Sequence, residues 1–260
     1  MNRKWWSISI GVCVLAISAV WVAPSVAQTT ATKQKPAMYS YVANWQVPRA
    51  QWGAMVKAMA DDAALFDKGI ADGTIVAYGR DENEVHTVNS ETHDDWWSSM
   101  SEAGIFNMLD RLYKAGAADS PALESATKHW DEVYVSRFYN WKPGTYKDAY
   151  TGVAVYNLKK DAPEDALDGL SKNLIGPLLD KLLADGTVVE WEVDTQAIHA
   201  APETEFLIVY VVRDAEGLDK VEAAVRETIA ANPLSGSAFD AVVDSAGHSD
   251  EVLRSNVTYK

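Results

Sequence analysis

The chain has 260 residues, a formal net charge of −14 at pH 7 and one cysteine. Nucleic acids and anionic membrane surfaces are also negatively charged, so the acidic balance argues against both as partners. One cysteine excludes an internal disulfide. A hydrophobic core must therefore stabilise the fold, and a chain of this length can bury one.

The N-terminal residues are typical of a secretory signal peptide. A positively charged start precedes an apolar run over residues 5–23 and then small residues up to Ala27. We predict a signal peptide over residues 1–27, a polar leader over residues 28–37, and export to the periplasm or the outside medium. After cleavage no membrane attachment is expected. An uncleaved anchor is the alternative, because the run is about long enough to span a bilayer.

The rest of the chain contains an internal duplication. Residues 65–76 match residues 178–189 at an offset of 113, with eight of twelve positions identical. A repeat of this size indicates a duplicated domain or supersecondary unit. The first unit is placed at residues 38–141, a linker at residues 142–150 and the second unit at residues 151–260.

Each unit shows the same order of predicted elements. Strands are expected where apolar and β-branched residues alternate, and helices where apolar residues recur at helical spacing. Gly73 should end the first helix, Ser101 and Asp214 should cap later ones, and Gly176-Pro177 should kink another. The predicted strands are residues 38–45, 74–78, 93–100 and 133–139, then 152–158, 188–193, 206–213 and 252–259. The resulting β-α-β-β-α-β order is the ferredoxin-like split unit.

This order and the duplication resemble the dimeric α+β barrel superfamily, fused into one chain. The resemblance covers nearly all of residues 38–260 and rests on topology. It implies an α+β fold in which two ferredoxin-like units pack sheet to sheet around a central cavity. Such barrels include small monooxygenases, haem-handling enzymes and proteins without catalytic activity, so the resemblance leaves the function open. Fusion of the two halves predicts a monomer.

The third strand differs most between the copies. Residues 206–212 form an almost continuous apolar run, as in a strand buried on both faces. The equivalent residues 93–99 contain His93, Asp95 and Trp97 on one face, and further polar residues on the other. Buried ionisable groups are costly unless they have partners. One copy therefore carries a candidate site that the other lacks.

His93 and Asp95 are the candidate catalytic residues. A carboxylate two residues away on one strand face could orient the imidazole and raise its basicity. The alternative is a hairpin corner, in which residues 93–95 are exposed and only the tryptophans enter the core. The residue spacing identifies neither a metal site nor a cofactor.

Aromatic residues in the first copy suggest a pocket for a small apolar or aromatic ligand. The candidate ligand-binding residues are Trp97, Tyr41, Tyr78, Tyr134 and Phe138. Sheet-on-helix packing is the alternative explanation, because aromatic residues are favoured in strands.

Two histidine pairs are kept in both copies: His86 with His199, and His129 with His248. They indicate either pseudo-symmetric sites or local hydrogen bonding. The neighbouring pairs 131–132 and 250–251 are acidic, and we expect them to face solvent.

Three functions remain open at this point. The leading one is a non-catalytic or small-molecule-binding exported barrel. The second is a monooxygenase or isomerase that uses His93 and Asp95. The third is haem or metal handling, which requires a histidine facing the cavity.

Overall fold

The computed structural model describes residues 31–86, 90–199 and 202–260. The expected signal peptide over residues 1–27 lies outside this part of the chain. Within the described residues, no helix combines the length and apolar character needed to cross a bilayer. The segment before the first strand contacts both copies: Thr32 donates a hydrogen bond to Asp180 (3.0 Å), and Pro36 accepts one from Tyr139 (2.9 Å).

The described residues form two successive β-α-β-β-α-β units. The strands are β1 (Met38–Gln46), β2 (Ala77–Asn83), β3 (His93–Ser99), β4 (Lys128–Trp141), β5 (Gly144–Leu158), β6 (Val188–Ile198), β7 (Glu205–Val212) and β8 (Val243–Tyr259). The α-helices are α1 (Trp52–Asp61), α2 (Ala63–Asp72), α3 (Glu102–Ala115), α4 (Pro121–Glu124), α5 (Ala166–Leu170), α6 (Gly176–Asp185), α7 (Ala215–Ala231) and α8 (Pro233–Val242).

All eight strands pair antiparallel and close into one barrel in the order β1-β3-β2-β8-β5-β7-β6-β4. Each copy contributes four neighbouring strands. The pairs β2–β8 and β4–β6 join the copies. The predicted α+β fold of two tandem ferredoxin-like units is confirmed. The two sheets meet edge to edge, so closure leaves neither with an unpaired edge.

Side chains alternate between the barrel interior and the helix-covered outer face. In the second copy the outer face packs into a core around Trp191, Phe206 and Val212. In the first copy the outer face packs around Phe66 and Trp97. One end of the interior is filled by apolar residues from both copies, and the other end leads into a central cavity.

Several local predictions are confirmed. Gly73 ends α2 in the left-handed conformation (φ 80°). Ser101 and Asp214 each accept a hydrogen bond from a backbone amide three residues on, which caps α3 and α7. Before Pro177, the helix widens into a π-helical turn over Ser171–Ile175. Proline has no backbone N–H, so a change in the helical hydrogen bonding is expected there.

Some strand boundaries differ from the prediction. The second strand is predicted at residues 74–78, but β2 is Ala77–Asn83. Its last residues are polar because this part of the strand faces a polar cavity on one side. Residues 144–150, assigned to a linker, form the first half of β5, and only Lys142 and Pro143 separate β4 from β5.

Candidate functional site

A pocket of about 650 Å³ lies outside the barrel wall in the first copy. It is bounded by α1 and α2 on one side and by the outer face of β2 and the end of β8 on the other. Its apolar wall includes Val56, Met59 and Ala63, and its polar wall includes Arg80 and His93. Most of the other lining residues are polar or charged, so the apolar surface of the pocket comes mainly from the helix side.

His93 is fully buried at the start of β3, with its ring edge-on to Trp52. Its Nδ1 lies 3.0 Å from the hydroxyl of Thr92. That hydroxyl donates to the carbonyl of Trp45 (3.2 Å), so it accepts a hydrogen bond from Nδ1–H. The neutral imidazole then carries its lone pair on Nε2, which is buried without a hydrogen-bond partner among the described residues.

Burial, followed by repulsion from His86, lowers the pKa of His93 to about 4. Burial acts in this direction because it penalises the charged imidazolium. Near neutral pH the ring is therefore uncharged. It can accept a hydrogen bond from a ligand, but it holds a transferred proton poorly.

Arg80 faces the same pocket from β2. Its Nε and Nη2 atoms are buried without a hydrogen-bond partner among the described residues. The guanidinium lies over Phe66 and Tyr78, at 5.6 Å and 5.7 Å from the ring centroids. A buried cation with free N–H groups can bind an oxygen atom that carries negative charge.

Asp95 neighbours Arg80 across the β2–β3 pair, with Oδ1 3.7 Å from Nε. Burial raises the pKa of Asp95 to about 7, although Arg80 opposes the shift. His93 pairs in register with Glu82 instead. The structure therefore places Asp95 beside Arg80, while His93 is held by Thr92. Both residues lie in a buried strand and not at an exposed hairpin corner.

The second copy replaces this polar wall with apolar residues. At the offset of 113, Val193, Phe206 and Ile208 stand at the positions of Arg80, His93 and Asp95. All three pack into the continuous core beneath the helices of the second copy. At these equivalent positions the outer face of the sheet is thus apolar in the second copy and polar in the first.

Comparisons with solved structures agree with this architecture. A candidate monooxygenase from Lactobacillus acidophilus NCFM superposes with a TM-score of 0.66 at 11% identity, over 86% of this chain and 96% of its own. A candidate monooxygenase from Fusobacterium nucleatum gives a TM-score of 0.63 at 10% identity, over 87% and 95%. An anthrone oxidase-like protein gives 0.50 at 12% identity, over 88% and 94%.

The fold is a dimeric α+β barrel in a single chain. Identities this low establish the fold of the chain and leave its activity open. No protein-family model matches the sequence, and no curated protein matches it either.

The predicted ligand-binding residues are divided among different parts of the dimeric α+β barrel. Tyr78 lines the outer pocket and donates a hydrogen bond to Asp67 (2.7 Å). Trp97 and Tyr41 stack on each other at 4.5 Å in the core beneath α3. Phe138 lies in the core of the second copy, and Tyr134 lines the central cavity. The five residues therefore do not form one site.

The kept histidines have local contacts. His129 stacks on Trp45, and its Nδ1 lies 2.9 Å from the carbonyl oxygen of Asn44. His248 stacks on Tyr156, and its Nε2 lies 3.0 Å from Asp250. His86 packs against Trp52 near His93. These contacts agree with local hydrogen bonding, which was one of the two explanations for the histidines shared by both copies.

The haem or metal hypothesis rests on a single histidine. Among the described residues no group of three or more His, Cys, Asp or Glu side chains could hold a metal ion. None of the described residues that line the central cavity is a histidine. His93 opens on the outer pocket instead, where its Nε2 is the atom that could ligate haem iron.

Sequence reasoning missed Arg80, the main cation of this pocket. The predicted second strand ends at Tyr78, so Arg80 was not compared with its apolar counterpart Val193. Arg80 and Val193 are 113 residues apart, as are His93 and Phe206, so the same alignment of the two copies shows both differences. A comparison extended by two residues would have found it.

Proposed function

We propose that the first copy binds a small aromatic or apolar molecule that carries a hydroxyl group, such as a phenol or an enol. The observation that supports this is the pair of unsatisfied groups on one pocket wall. His93 presents a lone pair for the hydroxyl proton, and Arg80 presents N–H groups for the oxygen.

The strand register supports a ligand between these two groups. Arg80 pairs with Asp95 and Glu82 with His93, so Arg80 and His93 are diagonal neighbours. Diagonal positions on adjacent strands are about 7–8 Å apart. Both side chains line the same pocket, so one ligand oxygen can reach both while its apolar body contacts Val56 and Met59.

The binding role is favoured over base catalysis by the low pKa of His93. An imidazole with a pKa of about 4 is a weak base at neutral pH, whereas efficient general bases have a pKa near the working pH. Ligand binding therefore requires only the geometry described. Proton abstraction would also require that Arg80 strongly stabilise the anion formed from the substrate.

Binding can be tested with 4-nitrophenol, whose absorbance reports its ionisation. The wild-type chain should bind it and favour the neutral phenol, because His93 accepts the hydroxyl proton while Arg80 donates to the oxygen. Arg80→Met should weaken binding by about tenfold or more, since a hydrogen bond to a charged group contributes about 1.5–3 kcal/mol. His93→Phe introduces the residue of the second copy and should also weaken binding.

Matched controls are Arg137→Met on the exposed face of β4 and His199→Phe, whose side chain is largely exposed. Both should bind the probe like the wild type. If Arg80→Met and His93→Phe remain folded and retain full affinity, the ligand does not occupy this pocket.

Oxidation of such a ligand is the second candidate function. The free Arg80 N–H groups favour it, because they would stabilise an oxyanion formed during the reaction. The similarity to an anthrone oxidase-like protein suggests anthrone as the probe. Oxygen consumption with anthrone that Arg80→Met abolishes would support an enzyme. Equal rates with and without the protein would exclude this reaction.

A further inference from the structure

The interior of the barrel contains a second cavity, of about 450 Å³, on the other side of the barrel wall from the outer pocket. Ten Asp and Glu side chains from both copies line it. Among the described lining residues there is no Lys, Arg or His. A cavity with carboxyl groups and no counter-charge is unusual, because buried ionised groups are normally paired.

Two of these carboxyl groups occupy equivalent positions in the two copies. Asp81 on β2 and Asp194 on β6 are separated by the repeat offset of 113, and each is 3% exposed. The Oδ1 atom of each is buried without a hydrogen-bond partner in the described part of the chain. The other oxygen of Asp81 accepts a hydrogen bond from Trp96 Nε1 (2.9 Å). Each copy thus directs an unsatisfied carboxyl oxygen into the cavity.

Burial raises the pKa of the interior carboxyl groups. The shift is upward for Asp81 and Asp194, and repulsion between Asp194 and its neighbours adds to the shift in Glu190 and Glu192. Protonation lets the empty barrel tolerate these groups without a cation. A bound cation would lower the pKa of these carboxyl groups again, because a nearby opposite charge favours the ionised carboxylate.

The carboxyl groups extend to the open end of the cavity. Glu132 and Glu251 are equivalent residues of the two copies, and both line the cavity. The expectation that the acidic pairs at 131–132 and 250–251 face solvent is therefore wrong for the two glutamates, whereas the aspartates beside them are exposed. Asp131 and Asp250 lie near His129 and His248, while the glutamates turn inward. A cation entering from this end would meet carboxyl groups along its path, and its charge would favour their ionised form.

One part of the cavity wall is apolar. Val153, Val155, Leu207 and Val209 line it from β5 and β7, with Trp96 nearby on β3. A compact metal ion would leave this surface uncovered, and the described residues hold no cluster of three metal-ligating side chains. An occupant that satisfies both walls has a positive charge and an apolar body.

We propose that the barrel interior binds a small organic ammonium ion with a hydrocarbon or aromatic body. The ammonium group lies between Asp81 and Asp194, and the apolar body lies against β5 and β7. Binding converts a protonated carboxyl group into a carboxylate, and the released proton goes to solvent. Asp81 is the one described residue that lines both this cavity and the outer pocket. The two proposals use different ligands and otherwise different residues, so either can fail without the other.

Isothermal titration calorimetry with 2-phenylethylamine tests the site. The amine should bind, and 2-phenylethanol and phenylacetate, which have the same ring, should bind at least about tenfold more weakly. Repeating the titration near pH 7 in buffers of different ionisation enthalpy should reveal proton release on binding the amine.

Asp194→Asn and Asp81→Asn should each weaken amine binding by about tenfold while keeping the side-chain shape. Asp131→Asn, on the exposed side of β4, is the matched control and should have no effect. The proposal is overturned if the alcohol or the acid binds as well as the amine. It is equally overturned if calcium chloride binds and the amine does not. The comparison of the three ligands needs only the wild type, so it holds even if a variant fails to fold.

Discussion

Two residues that share one face of β3 have separate partners. His93 is oriented by Thr92, and Asp95 is the neighbour of Arg80. The carboxylate therefore competes with any ligand for the guanidinium, and its raised pKa shows how incompletely the pair offsets the cost of burial. Asp95 then tunes the affinity of Arg80 for a ligand oxygen.

Asp95→Asn should strengthen binding of a neutral phenol by about two- to fivefold, because Arg80 loses a competing negative charge worth up to about 1 kcal/mol. The melting temperature should change little or rise, since a buried carboxyl group is replaced by an amide of the same shape. Titration with phenol at pH 8, where Asp95 is largely ionised and the ligand keeps its proton, measures the effect. Weaker binding in this variant would show that Asp95 contacts the ligand directly.

Sequence reasoning at this scale was limited by the polar interior. The alternation over residues 93–99 predicted which side chains share a face, and β3 follows it. It did not predict which face lies inside the barrel, because both faces of β3 carry ionisable and aromatic residues. In most sheets the polar face is solvated, whereas here Asp94 and Trp96 line an acidic cavity.

At the scale of elements, the helices of the two copies approach their sheets through an equivalent glycine. Gly104 in α3 and Gly217 in α7 are separated by the repeat offset of 113. A Cβ atom on Gly104 would lie 2.8 Å from the carbonyl oxygen of Thr74, and one on Gly217 would lie 2.6 Å from Val212 Cβ. The close contact at both positions explains why both copies have glycine there.

Gly104→Ala should destabilise the protein by about 1–3 kcal/mol, because the methyl group forces α3 away from the sheet. Gly53→Ala in α1 is the control, since nothing lies within 4 Å of the place its methyl group would take. That change should stabilise by about 0.5–1 kcal/mol through the higher helix propensity of alanine. Chemical denaturation measures both, and equal effects of the two substitutions would contradict the close-packing argument.

The strand pattern explains which elements were predictable. Long helices and apolar strands such as β7 follow simple periodicity and were predicted correctly in type. The acidic side of β6 also alternates, with Glu190, Glu192 and Asp194 at every second position. This signal was present, but acidic residues at strand spacing suggest a solvated face, and only barrel closure turns that face inward.

For the whole molecule, the interior carboxyl groups predict an unusual dependence of stability on pH. Their pKa is higher in the folded chain than in the unfolded chain, so the native state binds more protons between about pH 4 and pH 8. Stability must then fall as pH rises through this range. The lowered pKa of His93 makes stability rise with pH below the unfolded pKa of histidine, but this single group is outnumbered by the carboxyl groups.

The melting temperature should therefore be higher near pH 5.5 than near pH 8.5. Asp194→Asn should reduce this difference and stabilise the protein at the higher pH, because one buried ionisation is removed. Calorimetric melting at both pH values measures the effect. A protein that is more stable at pH 8.5 would show that the carboxyl groups are compensated in solution.

The expectation of a monomer follows from the same closure and stays a prediction. Each sheet edge is already paired with the other copy, so none of the eight described strands is free to recruit a second chain. Light scattering coupled to gel filtration should give the mass of one chain, and a tight dimer would contradict it.

The strand β8, which closes the barrel, follows the other seven described strands along the chain. It pairs with β5 on one side and with β2, from the start of the chain, on the other. Contacts so distant in sequence are slow to form, because much chain must be ordered before they contribute. Until residues 243–259 are synthesised, the first copy keeps an open sheet edge. The barrel therefore cannot close before β8 has been synthesised, and the partly synthesised chain is the form most exposed to aggregation.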